Sequence, residues 1–161
     1  MSAAKVLEAL EARGWSLALA ESLTGGLLAD AFVSVPGASK VLRGSVVAYA
    51  TEAKSDLLGV DAKLLADVGA VDPAVAIEMA VGAANVFKAD VALSATGVAG
   101  PDTQNGVAVG TVFIGVLTPG GSEVVELSLK GDRAEIRAGA VAGALAALKT
   151  ALSGDSQEFR A

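Results

Sequence analysis

Among its 161 residues the chain has no histidine and no cysteine. That absence excludes a Ser-His-Asp triad, a cysteine nucleophile and the usual His or Cys zinc sites. A covalent catalyst here must be Ser, Thr, Lys, Tyr or a carboxylate. A general base near neutral pH must be a carboxylate, a Lys or Tyr of lowered pKa, or water. Aromatic residues are also scarce, 4% against 53% hydrophobic in all, so the core is built mainly from Ala, Val and Leu. Basic residues are outnumbered, 12 Lys and Arg against 18 Asp and Glu, for a net charge of −6. A nucleic-acid partner, which calls for a basic face, is therefore not expected, although a local cationic pocket is compatible with this balance. No run reaches the ~18 uninterrupted apolar residues of a membrane span, and Met1-Ser2-Ala3-Ala4-Lys5 does not resemble a signal peptide. The expectation is a soluble, cytoplasmic protein with no membrane partner.

What is present is organised around residues 17–28. An apolar run from Leu17, too short for a helix of its own, ends in Glu21 and Ser22; Thr24, Gly25 and Gly26 then open a run with helical spacing through Phe32. This reads as strand, tight turn, helix. Amides at the start of such a helix lack intrahelical partners and sit at the positive end of its dipole, where they can bind an anion or an oxyanion. Ser22 would stand at the mouth of that pocket. The same letters fit a plainer reading, in which Ser22 or Thr24 caps the helix and the glycines allow close packing.

The rest of the chain alternates in the same way. Val6, Leu7 and Leu10 mark a first helix over residues 3–13, stopped by Gly14. Residues 41–49 read as a largely buried, β-branched strand, and Thr51 as the cap of a short helix through Leu58. Another short helix begins at 59–61. Asp72 and Pro73 open a longer one to about Lys88, and residues 90–96 form the next strand. Residues 107–117 and 122–129, separated by Thr118-Pro119-Gly120-Gly121, predict an antiparallel hairpin. A last helix starts at 131–133 and runs through Ala151. The expected fold is a three-layer α/β/α sandwich with a mixed, mostly parallel sheet and one antiparallel hairpin. It forms one domain over residues 1–152, with 153–161 as a loosely held tail.

Three further places could carry chemistry. Thr96-Gly97-Val98-Ala99-Gly100-Pro101-Asp102 suits close approach of backbone to a ligand, or is an ordinary turn. Tyr49 closes a strand, and Lys54 follows in the first turn of a helix, where the dipole and partial burial would lower its pKa as a lysine base requires. A solvated lysine and a rim tyrosine fit that spacing equally. Arg133 and Arg137, one turn apart, could share a face and grip a phosphate, or bond Asp132 and Glu135 at the surface.

Taken together, Glu21-Ser22-Leu23-Thr24-Gly25-Gly26, Val35-Pro36-Gly37-Ala38-Ser39, Val46-Val47-Ala48-Tyr49 with Glu52-Ala53-Lys54, Ala95-Thr96-Gly97-Val98-Ala99-Gly100-Pro101, Val109-Gly110-Thr111-Val112 and Gly131-Asp132-Arg133 with Ile136-Arg137 resemble the CinA C-terminal domain family, the nicotinamide-nucleotide amidases. The resemblance runs from about Val6 to Leu148. It implies hydrolysis of nicotinamide mononucleotide to nicotinic acid mononucleotide and ammonia, without metal or other cofactor, by a domain that assembles as a homo-oligomer, a dimer or larger. Position by position it implies Ser22 as nucleophile and Lys54 and Tyr49 as its activators. Thr96, Gly97 and Arg137 become substrate-pocket residues, together with Glu21 and the Thr24, Gly25 and Gly26 turn. The chain departs from the family pattern at Asp102-Thr103-Gln104-Asn105-Gly106-Val107-Ala108, where a lysine and its neighbours are missing. Against the amidase stands a second reading, a catalytically weak or inactive nucleotide-binding domain of the same fold.

Overall fold

A computed structural model describes residues 2–158. Six α-helices and five strands follow the expected order: α1 (Ala3–Arg13), β1 (Leu17–Glu21), α2 (Leu27–Val33), β2 (Leu42–Val47), α3 (Thr51–Leu58), α4 (Ala62–Val68), α5 (Pro73–Phe87), β3 (Val91–Gly97), β4 (Thr111–Thr118), β5 (Gly121–Ser128) and α6 (Arg133–Glu158). A short 3-10 turn, Ala38–Lys40, precedes β2. The strands form one sheet in the order β2-β1-β3-β4-β5. β1 pairs in parallel with β2 and β3, whereas β3–β4 and β4–β5 are antiparallel. The mixed sheet is therefore as expected, and β4 alone runs against the other strands. The β3–β4 pairing adds a second antiparallel contact to the predicted hairpin; in its long connection, residues 98–110, the Asn105-Gly106 turn closes only the local Gln104–Val107 bridge and does not join the two strands directly.

Flanked by β2 and β3, β1 is buried along its whole length, and its alternating side chains divide the core. Leu17 and Leu19 enter a cluster with α1, α2 and α6 on one face, while Ala18 and Ala20 meet α3, α4 and α5 on the other. The second layer is thin because both surfaces are small: Ala18, Ala20 and Ala92 from the sheet face Ala80, Ala83 and Met79 of α5. α3 in turn lies on α5 so closely that a Cβ at Gly82 would overlap the carbonyl oxygen of Leu58. Backbone thus rests on backbone through α5 to α3, and α3 carries Lys54.

Local signals set most of the boundaries. Gly14 ends α1 in the left-handed conformation, and Asp72 caps α5 by accepting the N–H of Ala74, with Pro73 at the first helical position. Asp132 and Glu135 form a reciprocal capping box at the start of α6, each carboxylate accepting the other's N–H.

Four expectations need correction. Thr51 is not a cap; it is the first residue of α3, and Ala50, without a side-chain bond, holds the cap position. β2 is an edge strand of half-buried and exposed residues rather than a buried one, because its hydrophobic pattern does not encode whether a neighbour lies on both sides. The fourth strand begins at Thr111 and not 107, since Asn105 and Gly106 turn the chain between the bridged residues Gln104 and Val107. α6 continues through Glu158 instead of ending at Ala151, anchored by buried Leu152; the remaining expected tail, 159–161, lies outside the described residues. By length and composition Arg133–Gly154 could cross a membrane, yet Ile136, Ala140, Ala144 and Leu148 bury one face of it in the core.

Candidate active site

The chain leaves β1 toward α2 on one face of the sheet and returns to β3 from α5 on the other. The strand order therefore reverses between the carboxyl ends of β1 and β3, and such a switch point leaves a crevice outside the strand ends. Ser22 and Thr96 sit at its two sides. The N–H of Ser22 donates to the carbonyl of Ala95 at 3.0 Å, extending the ladder by one residue beyond β1.

On the other flank, the N–H of Ala48 donates to the carbonyl of Glu21 at 2.8 Å. This holds the β2–α3 connection against the end of β1. Helical side chains lean toward the helix N-terminus, so Lys54, one turn into α3, points back at that connection. Its Nζ donates to the carbonyls of Ala48 at 2.8 Å and Tyr49 at 3.4 Å, and lies 3.0 Å from Ser22 Oγ. Lys54 is fully buried. Burial lowers its pKa from 10.5 to about 8, the nearby Glu52 carboxylate opposing part of the shift. The geometry accommodates both protonation states. As an ammonium, Lys54 donates to all three oxygens; as an amine, it gives two N–H groups to the carbonyls and turns its lone pair to the Ser22 hydroxyl. Ser22 and Lys54 thus have the arrangement of a nucleophile and its base.

The helix entrance beside Ser22 differs from expectation. Neither Ser22 nor Thr24 caps α2. The cap position belongs to Gly26, at φ 105°, a conformation that glycine adopts without strain, and Gly25 before it is also left-handed. The cap itself is the fully buried carboxylate of Glu21, which accepts the N–H groups of Gly26 at 3.1 Å, Leu28 at 2.8 Å and Ala29 at 3.2 Å, and the hydroxyl of Ser45 at 2.7 Å. Those amides are occupied and present no anion site. Gly25 N–H donates to the carbonyl of Ser22. In this turn the N–H groups of Leu23 and Thr24 donate to nothing among the described residues, and the Thr24 hydroxyl is buried without a partner.

Ser22, Leu23, Tyr49, Lys54, Thr96, Gly97 and Arg133 line a cavity of about 380 Å³. Its remaining walls include Ala70 and Val71 before α5 and the 98–104 loop with Asp102, Thr103 and Gln104. The volume suits a small-molecule ligand. Thr96 Oγ1 donates to the carbonyl of Ala70 at 2.7 Å, tying the two walls together. Of the anticipated site residues, the structure brings Ser22, Lys54, Tyr49, Thr96 and Gly97 to this cavity. Glu21, Thr24, Gly25, Gly26 and Arg137 lie behind it. Arg137 Nε and Nη2 donate to the carbonyls of Leu23 at 2.8 Å and Thr24 at 3.1 Å, gripping the turn from its far side. Tyr49 lies near Lys54 through its carbonyl only; its exposed side chain turns outward and its hydroxyl accepts from Arg133 at 3.0 Å. The cavity's guanidinium is thus that of Arg133, one turn before Arg137. Of the two arginines singled out in the sequence, it is the one at the first residue of α6, the helix end nearest the strand termini, that reaches the cavity. Among the described residues no group of three or more carboxylates is placed to hold a metal ion.

Residues 1–152 match the family described as CinA C-terminal domain. The chain is 47% identical over 149 residues to a CinA-like protein of Frankia casuarinae, covering 92% of this chain and 34% of that one. A CinA-like protein of an Anaeromyxobacter species is 47% identical over 150 residues, covering 92% and 37% respectively. The chain therefore spans about a third of the length of these relatives. Among solved structures, a CinA superfamily protein from Klebsiella pneumoniae superposes with a TM-score of 0.91 at 37% identity, covering 94% of this chain and 96% of that one. A competence/damage inducible protein from Agrobacterium tumefaciens gives 0.88 at 34%, covering 94% and 93%. With the family match running across nearly all of its length, and with the same fold in these relatives, this chain belongs to the CinA C-terminal domain family.

Proposed function

We propose that the chain is an amidohydrolase that converts nicotinamide mononucleotide to nicotinic acid mononucleotide and ammonia. The observation that supports this most is the 3.0 Å approach of a buried lysine of lowered pKa to Ser22 Oγ, inside a cavity of nucleotide size. Ser22 Oγ attacks the carboxamide carbon as its proton passes to Lys54 Nζ. The oxyanion of the tetrahedral intermediate needs donors, and the free N–H of Leu23, the residue after the nucleophile, is on the cavity wall for that role. Lys54 returns the proton to the departing nitrogen, releasing ammonia and leaving an acyl ester on Ser22. Water then attacks the ester, with Lys54 again taking and returning a proton, and frees the acid.

Ammonia release from nicotinamide mononucleotide by the purified protein tests this reading, with Ser22→Ala as the control. We expect release by the wild type and none by the variant, which still binds the nucleotide. A wild type that releases no ammonia, or a variant that turns over like it, overturns the assignment.

A further inference from the structure

Three charged side chains line the cavity: Lys54, which is buried, and Asp102 and Arg133, which are exposed at its rim. Arg133 bridges two walls, donating from Nη1 to the carbonyl of Gly100 at 2.6 Å and from Nη2 to the Tyr49 hydroxyl at 3.0 Å. Both acceptors are neutral. The ion pairs among the described residues are Lys40–Glu11 and Lys63–Asp67, so no carboxylate compensates Arg133 and no cation compensates Asp102. The Asp102 carboxylate accepts no hydrogen bond among these residues either. A guanidinium held only by neutral acceptors keeps its charge available to an oxyanion and is well shaped for a phosphate. An unpaired carboxylate at the edge of a partly enclosed cavity attracts a cation more strongly than one in open water does. The rim therefore offers one charge of each sign. A ligand carrying only one sign would match one residue and be repelled by the other.

On the amidase reading above, we propose that this cavity selects a dipolar ligand, with Arg133 receiving its phosphate and Asp102 facing its cationic pyridinium ring. Nicotinamide mononucleotide carries both groups on one small molecule. Asp102 opens the loop that closes this side of the cavity, so the cation-facing half of this selection rests on that loop. Both residues are exposed, and their preferences weaken as salt rises.

The test uses three ligands that differ by one feature each, titrated calorimetrically into the Ser22→Ala protein so that no turnover intervenes. They are nicotinamide mononucleotide, nicotinamide riboside, which keeps the cationic ring but lacks the phosphate, and benzamide riboside 5′-phosphate, which keeps the phosphate on a neutral ring. The mononucleotide should bind about tenfold or more tightly than either analogue. Adding Arg133→Gln should erase its advantage over the riboside, and adding Asp102→Asn its advantage over the neutral-ring phosphate. If Arg133→Gln weakens all three ligands alike, the residue merely props the Gly100 and Tyr49 walls; if Asp102→Asn leaves the ring preference intact, Asp102 does not face the ring. Either result overturns the proposal. Ammonia release by the wild type without these preferences defeats the charge selection alone. The preferences without ammonia release defeat the amidase reading alone, and failure to bind any of the three defeats both.

Discussion

The carboxylate of Glu21 receives the backbone N–H of Leu28 at 2.8 Å, so the residue just before the nucleophile candidate fills the helix entrance expected to hold a ligand. With Gly26, Ala29 and Ser45 also donating, a buried charge is fully hydrogen-bonded. Replacing it by alanine leaves these donors unmatched. Glu21→Ala is expected to lose about 2–4 kcal/mol of stability in denaturant titrations, and Glu21→Gln clearly less. Equal stability of Glu21→Ala and wild type would show that the cap contributes nothing.

Ser22 can lose its proton to Lys54 only while Lys54 is neutral. Because burial has brought the lysine to about 8, kcat/KM for amide hydrolysis should rise with pH and level off above that value. Lys54→Arg preserves charge but stays protonated throughout this range, so it should be inactive at every pH. An active arginine variant would show that Lys54 supplies charge alone. A pH–rate series on both proteins decides the matter.

The same shift acts on folding. Lys54 holds its proton less tightly in the folded chain than at its ordinary 10.5, so the unfolded chain binds more protons between about 8 and 10.5 and stability rises with pH across that window. The gain should approach about 3 kcal/mol and be absent below the window. Lys54→Met removes the group. Urea titrations at pH 7 to 10.5 should show the rise in the wild type and its loss in the variant; parallel curves would mean that the lysine is not shifted.

Arg137 touches the carbonyls of Leu23 and Thr24 and does not line the cavity. Its removal should loosen the turn that aims Ser22 rather than the hold on the nucleotide. Arg137→Ala is thus expected to reduce kcat for the amide about tenfold or more while changing KM little. A rise in KM at constant kcat would assign it to binding instead.

Elements bounded by their own neighbours were legible in the letters: Gly14 after α1, Asp72 and Pro73 before α5, the Pro119-Gly120 turn between β4 and β5. Contacts set by sheet register were not. Ser22 and Lys54 lie 32 residues apart, and their approach depends on Ala48 pairing with Glu21, which no spacing rule contains; the resemblance to a family, not periodicity, put them together. The resemblance implies Glu21 as a pocket residue, but its carboxylate is taken up by the amides of the helix that folds back onto it, a contact no local spacing encodes. Arg133 and Arg137, expected to grip one phosphate or to bond Asp132 and Glu135, do neither: α6 begins at the strand ends and runs away from them. One turn of helix therefore divides a cavity residue from one that braces the turn after Ser22.

The close seat of α3 on α5 at Gly82 makes the chemistry depend on a place that no ligand reaches. A methyl group there cannot be absorbed by a side chain turning aside, because what it strikes is the Leu58 carbonyl itself. Helix α3 would have to lift, and Lys54, one turn before Leu58 in it, would move away from Ser22. Alanine is ordinarily a helix-favouring exchange for glycine, so Gly82→Ala is expected to join better local propensity to slower amide hydrolysis through one atom. On the amidase reading, selection for turnover would then act on a contact outside the cavity, through the one residue, Lys54, that α3 brings to Ser22.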